Sequence, residues 1–188
     1  MARAADQEKR RRLIEAAIDH LDRHGVAEFS LRRLAEAIGT SARMLVHYFG
    51  TKENLLSQAL AASRPDVPAL FGTVRDAAGL REAAFALWQD SAEGAQRRNV
   101  KLLLQTMALA TAPGHHYRPF VQEAVTAWVT PLAAAFVRIG LDEAEAEARA
   151  TALVSGLRGL LLDRYATHDT TRTDAAAQAL INALLPPQ

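Results

Sequence analysis

Few side chains in this 188-residue sequence stand where covalent chemistry needs them, and more stand where they could read another molecule. Arg43 lies in a short segment, Ser41 to Phe49, whose apolar residues Leu45 and Phe49 recur at i, i+4. With those two turned inward, Ala42, Arg43, Val46 and His47 project the other way, toward solvent or a binding surface. A guanidinium fork there can bond O6 and N7 of a guanine together, which is typically worth ~1–3 kcal/mol of discrimination between bases. Acid–base and metal chemistry find less support. The run from Asp142 to Glu147 reads as a helix start, where carboxylates complement the dipole. His115 and His116 are adjacent, so they do not share a helical face as a metal-binding pair at i, i+4 does. There is no cysteine, which excludes disulfides, thiolate zinc sites and cysteine nucleophiles. The sequence also lacks an HExxH motif, a glycine-rich phosphate loop and a nucleophile elbow. These observations argue against an enzyme, and no cofactor or metal is expected.

The segment around Arg43 needs a scaffold, and the preceding fifty residues predict one. Leu13, Ile14, Ala17, Ile18 and Leu21 form an apolar stripe at helical spacing, with Gly25 as a natural stop. Ser30 can cap a second, short helix with Leu31, Leu34, Ala35 and Ile38 facing inward. Gly39 and Thr40 make the turn, Ser41 caps the third helix, Gly50 ends it and Thr51 caps the next. Two short helices joined by a glycine-containing turn and braced by a longer one form a helix-turn-helix arrangement. Spacing alone leaves a plain three-helix bundle open.

The segment FSLRRLAEAIGTSARMLVHYFGTKENLL, residues 29–56, narrows the choice because it closely resembles the DNA-binding signature of the TetR family of regulators. The resemblance rests on the glycine turn, the aromatic end of the third helix and the following Lys-Glu-x-Leu. It implies an all-α protein: an N-terminal three-helix helix-turn-helix domain, residues 1–52, and a C-terminal helical effector-binding and dimerisation domain, residues 53–188. It further implies that Ala42, Arg43, Met44, Val46 and His47 face the major groove, with Thr40 and Ser41 at the helix start. Arg32 would reach a base or phosphate, while Tyr48 and Lys52 would hold the DNA backbone without specifying sequence. Val46, Arg43 and Met44 depart from the commoner family residues, so an operator cannot be borrowed. The basic run Lys9 to Arg12 could touch phosphates or a minor groove or could simply be a solvated helix start; it opposes the dipole of its own helix, which slightly favours a functional placement.

Beyond Lys52 the pattern stays helical. A linking helix is expected from Glu53 to Ser63, ended by Arg64-Pro65. Further helices are expected near Leu80–Gln96, Val100–Thr111, Tyr117–Ile139, Asp142–Tyr165 and Thr173–Leu185, with Pro131 as a possible kink. Phe85, Trp88, Met107, Phe120 and Trp128 could line one apolar cavity, with Gln105, His116, Tyr117 and Arg158 as its polar groups. Leu153, Leu157, Leu160 and Leu161, then Leu180, Ile181, Leu184 and Leu185, form dense apolar faces, and Ser155, Gly156 and Gly159 permit close helix approach. The resemblance implies a homodimer through these last two helices, a double-stranded palindromic operator and a repressor released by a small, largely apolar effector.

Charge is uneven: residues 1–64 hold eleven Lys and Arg against eight Asp and Glu, while residues 65–188 hold eleven against thirteen. The basic part is the one expected on DNA. A composition of 49% hydrophobic and 23% charged residues excludes a disordered or fibrous chain. The N-terminus lacks an apolar signal core, and stretches such as Ala124 to Ile139 are interrupted by Thr126, Thr130, Pro131 and Arg138. No membrane partner and a cytoplasmic location are therefore expected. The competing reading is an all-helical interaction module that no longer binds specific DNA.

Overall fold

The computed structural model describes residues 2–62 and 64–185, with side chains from residue 5 onward. Ten helices and no strand are found among the described residues. They run as α1 (Ala2–His24), α2 (Leu31–Ala37), α3 (Ala42–Phe49), α4 (Lys52–Ala62), α5 (Val67–Gly72), α6 (Ala77–Ala92), α7 (Arg97–Ala110), α8 (Arg118–Arg138), α9 (Glu143–Thr167) and α10 (Thr170–Leu184).

Packing divides the chain into two units. The first comprises Met1–Arg64 with Leu102–Val121, and the second Pro65–Lys101 with Gln122–Gln188. In the first unit, Leu13, Ala17, Ile18 and Leu21 of α1 close with Leu34, Leu45 and Phe49 on a core that also takes Leu102 and Tyr117. The packing division does not fall at the expected 52/53 boundary. The reason is α4, whose Leu55, Leu56, Ala59 and Leu60 are all buried in that same core. The sequence shows an apolar stripe on α4 without showing which neighbour covers it. The expected end of this helix, Ser63, lies outside the described residues.

In the second unit, Leu80 and Ala84 of α6, Leu132 and Phe136 of α8, Ala150 and Leu153 of α9 and Ile181 of α10 share one core. Helix α5 was not expected; Asp66 caps it by accepting from the Ala69 N–H at 3.0 Å, and Val67 and Phe71 are its buried residues. The Thr-rich break expected over 167–173 shrinks to His168 and Asp169. His168 takes a left-handed conformation with φ 60°, and Asp169 starts α10 at once by accepting from the Arg172 N–H at 3.1 Å. Gly156 sits where a Cβ would meet Leu180 Cδ2 at 2.5 Å, so its lack of a side chain serves the approach of α9 to α10 within the chain.

One expectation needs correction. Helix α8 is 21 residues long and contains an 18-residue window of mean hydropathy 1.4, long and apolar enough by length and composition to cross a membrane. The threonines and Pro131 lower its hydropathy too little, and its charges lie toward its ends. Ala124, Leu132, Ala135 and Phe136 of this helix are buried, and the last three belong to the second unit's core.

Candidate nucleic-acid interface

The turn before α3 is built by backbone needs that few residues meet. Gly39 has φ 68°, a left-handed conformation a side chain would strain, and Ser41 accepts from the Met44 N–H at 3.2 Å to cap α3. Ser30 does the same for α2, accepting from the Arg33 N–H at 3.3 Å. Gly50, with φ 73°, ends α3 by donating its N–H to the Val46 carbonyl. Two fixed ends and two buried residues, Leu45 and Phe49, leave α3 one way to face.

Arg43, Val46 and His47 stand exposed on the outer side, Val46 at 49%. Arg43 makes no hydrogen bond or ion pair among the described residues, so its whole fork is available. Met44 and Thr40 are half-buried, and Ser41 is exposed although its hydroxyl is engaged in the cap. Ala42 departs from the expected set: it packs against the core, because it lies at i−3 from Leu45 and i−7 from Phe49 and so joins their stripe. Arg32 is exposed and paired with Glu36 at 3.1 Å, an i, i+4 surface pair that an external acceptor can replace at little cost. Lys52 donates to the Phe29 carbonyl at 3.4 Å and lies 4.0 Å from Glu53, which holds its ammonium near the turn between α3 and α4.

Tyr48 is the unexpected case. Its hydroxyl donates to Asp6 Oδ1 at 2.6 Å, which raises the phenol's pKa through the hydrogen bond and the charge it faces. Lys9 stands 5.8 Å from the Tyr48 ring centroid, and Arg10 lies 5.8 Å over Phe49 and donates to Gln58. The sequence pointed to the basic run but missed Asp6. The signal was available: α1 continues its register back to Ala2, which puts Asp6 one turn before Lys9 and Arg10.

Known proteins share this arrangement. Residues 13–59 match the family described as bacterial regulatory proteins, tetR family. The likeness to that family thus covers α2 and α3 with the adjoining parts of α1 and α4. It is 40% identical over 52 residues to the HTH-type transcriptional regulator BetI 1 of Chromohalobacter salexigens, covering 28% of this chain and 26% of that one. It is 47% identical over 53 residues to the HTH-type transcriptional regulatory protein RaaS of Mycobacterium tuberculosis, covering 28% and 24%. The match thus spans about a quarter of the length of these curated relatives. Over the whole chain the likeness is one of fold. A transcriptional regulator from Rhodococcus sp. Rha1 superposes with a TM-score of 0.74 at 23% identity, covering 93% of this chain and 95% of that one.

The residues expected to line an effector cavity do not share one unit. Gln105, Met107, His116, Tyr117 and Phe120 belong to the first unit. There Gln105 accepts from the Val26 N–H at 3.1 Å, Tyr117 is buried in the core with its pKa pushed up to about 12 by burial, and Phe120 packs beside it. His116 is exposed. Phe85, Trp88, Trp128 and Arg158 belong to the second unit. Arg158 donates to the Ala124 carbonyl at 3.3 Å, and burial pushes its pKa down to about 10, still above neutral pH. Only Phe85 and Trp88 of the expected set line the second unit's cleft of about 580 Å3, where Gln89, Glu93, Arg164 and Asp174 join them. That cleft is more polar than an all-aromatic cavity. Periodicity identified large side chains on separate helices but carried no information on which core each would join.

Proposed function

We propose that this chain is a DNA-binding transcriptional regulator: a homodimeric repressor whose α3 reads a palindromic operator and which a small effector releases. The observation that carries the proposal is the exposed Arg43, unpaired among the described residues, beside Val46 and His47 on a short helix fixed at both ends. A rigid helix bearing a free guanidinium fork and an apolar neighbour suits bidentate contact to guanine and contact with a thymine methyl. Thr40, Ser41, Met44, Arg32 and Lys52 complete the surface, the last two toward phosphates. Residues 1–52 supply the DNA-contacting part, and residues 53–188 supply effector binding and dimerisation.

One feature supports the dimer: Leu162 on α9 is 56% exposed, whereas Leu153, Ile181 and Leu185 are buried in the chain's own core. A twofold dimer sets two recognition helices one DNA turn apart, about 34–36 Å, and requires a near-palindromic site. Leu162→Arg is expected to yield monomers by sedimentation velocity and to weaken operator binding, whereas an unchanged dimer would place the interface elsewhere. Phe85 and Trp88 suit an effector with an apolar body, and the carboxylates and amides around them suit a polar end. Release requires that the effector bind the two conformations with different affinity. A reducing cytoplasm suits a cysteine-free regulator that meets DNA there.

Selection of bound fragments from a random duplex pool at two salt concentrations tests the reading. An enriched inverted repeat that persists at the higher salt supports it, since phosphate contacts alone give salt-sensitive binding without enrichment. Retention of no sequence would favour the interaction module.

A further inference from the structure

Helix α1 places a carboxylate on the surface that α3 presents. Asp6 is exposed, and its Oδ1 accepts the only proton of the Tyr48 hydroxyl at 2.6 Å. Lys9 over the Tyr48 ring and Arg10 over Phe49, the latter also bonded to Gln58, hold the two helices together at this point. A phenol that donates to a carboxylate offers a phosphate only lone pairs, and the carboxylate itself repels the phosphate. This carboxylate thus occupies the donor that Tyr48 would otherwise give to DNA.

We propose that Asp6 restrains DNA binding by sequestering Tyr48. Resting on the reading of α3 as the DNA-facing helix, the assignment adds a residue that lowers affinity for every sequence alike. Phosphate contacts supply most non-specific binding. Withholding one of them leaves tight binding to sites where base contacts from Arg43 and its neighbours offset the loss. On such a site the proton of Tyr48 turns from Asp6 Oδ1 to a phosphate oxygen.

The test measures affinity of the full-length chain for a duplex of arbitrary sequence, by fluorescence anisotropy at fixed salt. Asp6→Ala, which removes charge and acceptor, is expected to tighten binding roughly five- to ten-fold. Asp6→Asn, which removes the charge and keeps an acceptor, is expected to tighten it less. In a Tyr48→Phe background the gain from Asp6→Ala should fall to about two-fold, the part due to charge alone. The contact has its own readout in the absence of DNA: by NMR the Tyr48 phenol should titrate above its ordinary pKa in the parent chain and fall toward it in Asp6→Ala. Equal gains in both backgrounds, no gain, or an ordinary Tyr48 titration in the parent overturns the assignment of Asp6 while leaving the reading of α3 intact. A parent chain that binds no duplex overturns both.

Discussion

Arg43 and Arg164 carry the same side chain under opposite conditions. Arg164, on α9, is 5% exposed, and its guanidinium donates to the Thr170 carbonyl, Thr173 Oγ1, Asp174 and Glu93 while lying 5.8 Å from the Trp88 ring. Trp88 donates its indole N–H to the same Asp174 oxygen at 2.7 Å, so α6, α9 and α10 meet on one cation. Arg43 has no such partner among the described residues and stands exposed. Burial explains the difference: a guanidinium out of water must have its donors met, whereas an exposed one keeps them solvated at no cost to the fold. A saturated arginine therefore marks structure, and an unsaturated one on a rigid element marks a surface able to take an outside acceptor.

Replacing Arg164 gives the largest effect by this logic. Arg164→Ala is expected to cost about 2–4 kcal/mol in urea unfolding, somewhat under the range for a fully buried pair because Asp174 and Glu93 can recover water. A loss below ~0.5 kcal/mol would end the contrast. Arg43→Ala should leave the unfolding midpoint in place yet reduce discrimination at one operator position by ~1–3 kcal/mol. Arg43→Lys should retain the salt slope while losing most of that discrimination, since an ammonium contacts phosphates but cannot fork onto guanine. Uniform weakening across all sequences would assign Arg43 to the phosphates instead.

The exposed pair at the start of α10 sets the lower end of the scale. Arg172 donates to both Asp163 oxygens at 2.7 and 2.8 Å and holds that carboxyl below its ordinary value of 3.8. Because the folded value is the lower one, the stabilisation is fully present above about pH 4 and is lost as pH falls through the folded value. Asp163→Asn should therefore reduce stability slightly at neutral pH and flatten the acid limb of a thermal-melt series. An acid limb identical to that of the parent would show the pair to be neutral.

The first fifty residues were legible because their signals are local. Ser30, Gly39, Ser41 and Gly50 act within one turn of their own positions, and each stands in the structure where its backbone requirement places it. Helix α5 was less legible: six residues between Asp66 and Thr73 are too few for a period to show. The expected cavity residues divide between the two units for a different reason. Met107, Phe120 and Trp128 are equally apolar, and nothing in a residue's own neighbourhood along the chain states whether its side chain joins the first unit or the second.

By itself, then, the sequence determined what depends on spacing and on the backbone preferences of single residues: an all-helical chain, the turn before α3, and an outward Arg43 opposite Leu45 and Phe49. Only the tertiary structure decided which distant groups meet. It placed Asp6 on Tyr48 from 42 residues away, Glu93 on Arg164 from 71, and Trp88 on Asp174 from 86. A cap or a helical stripe is written in neighbouring residues, whereas a hydrogen bond across helices depends on the packing of everything between them.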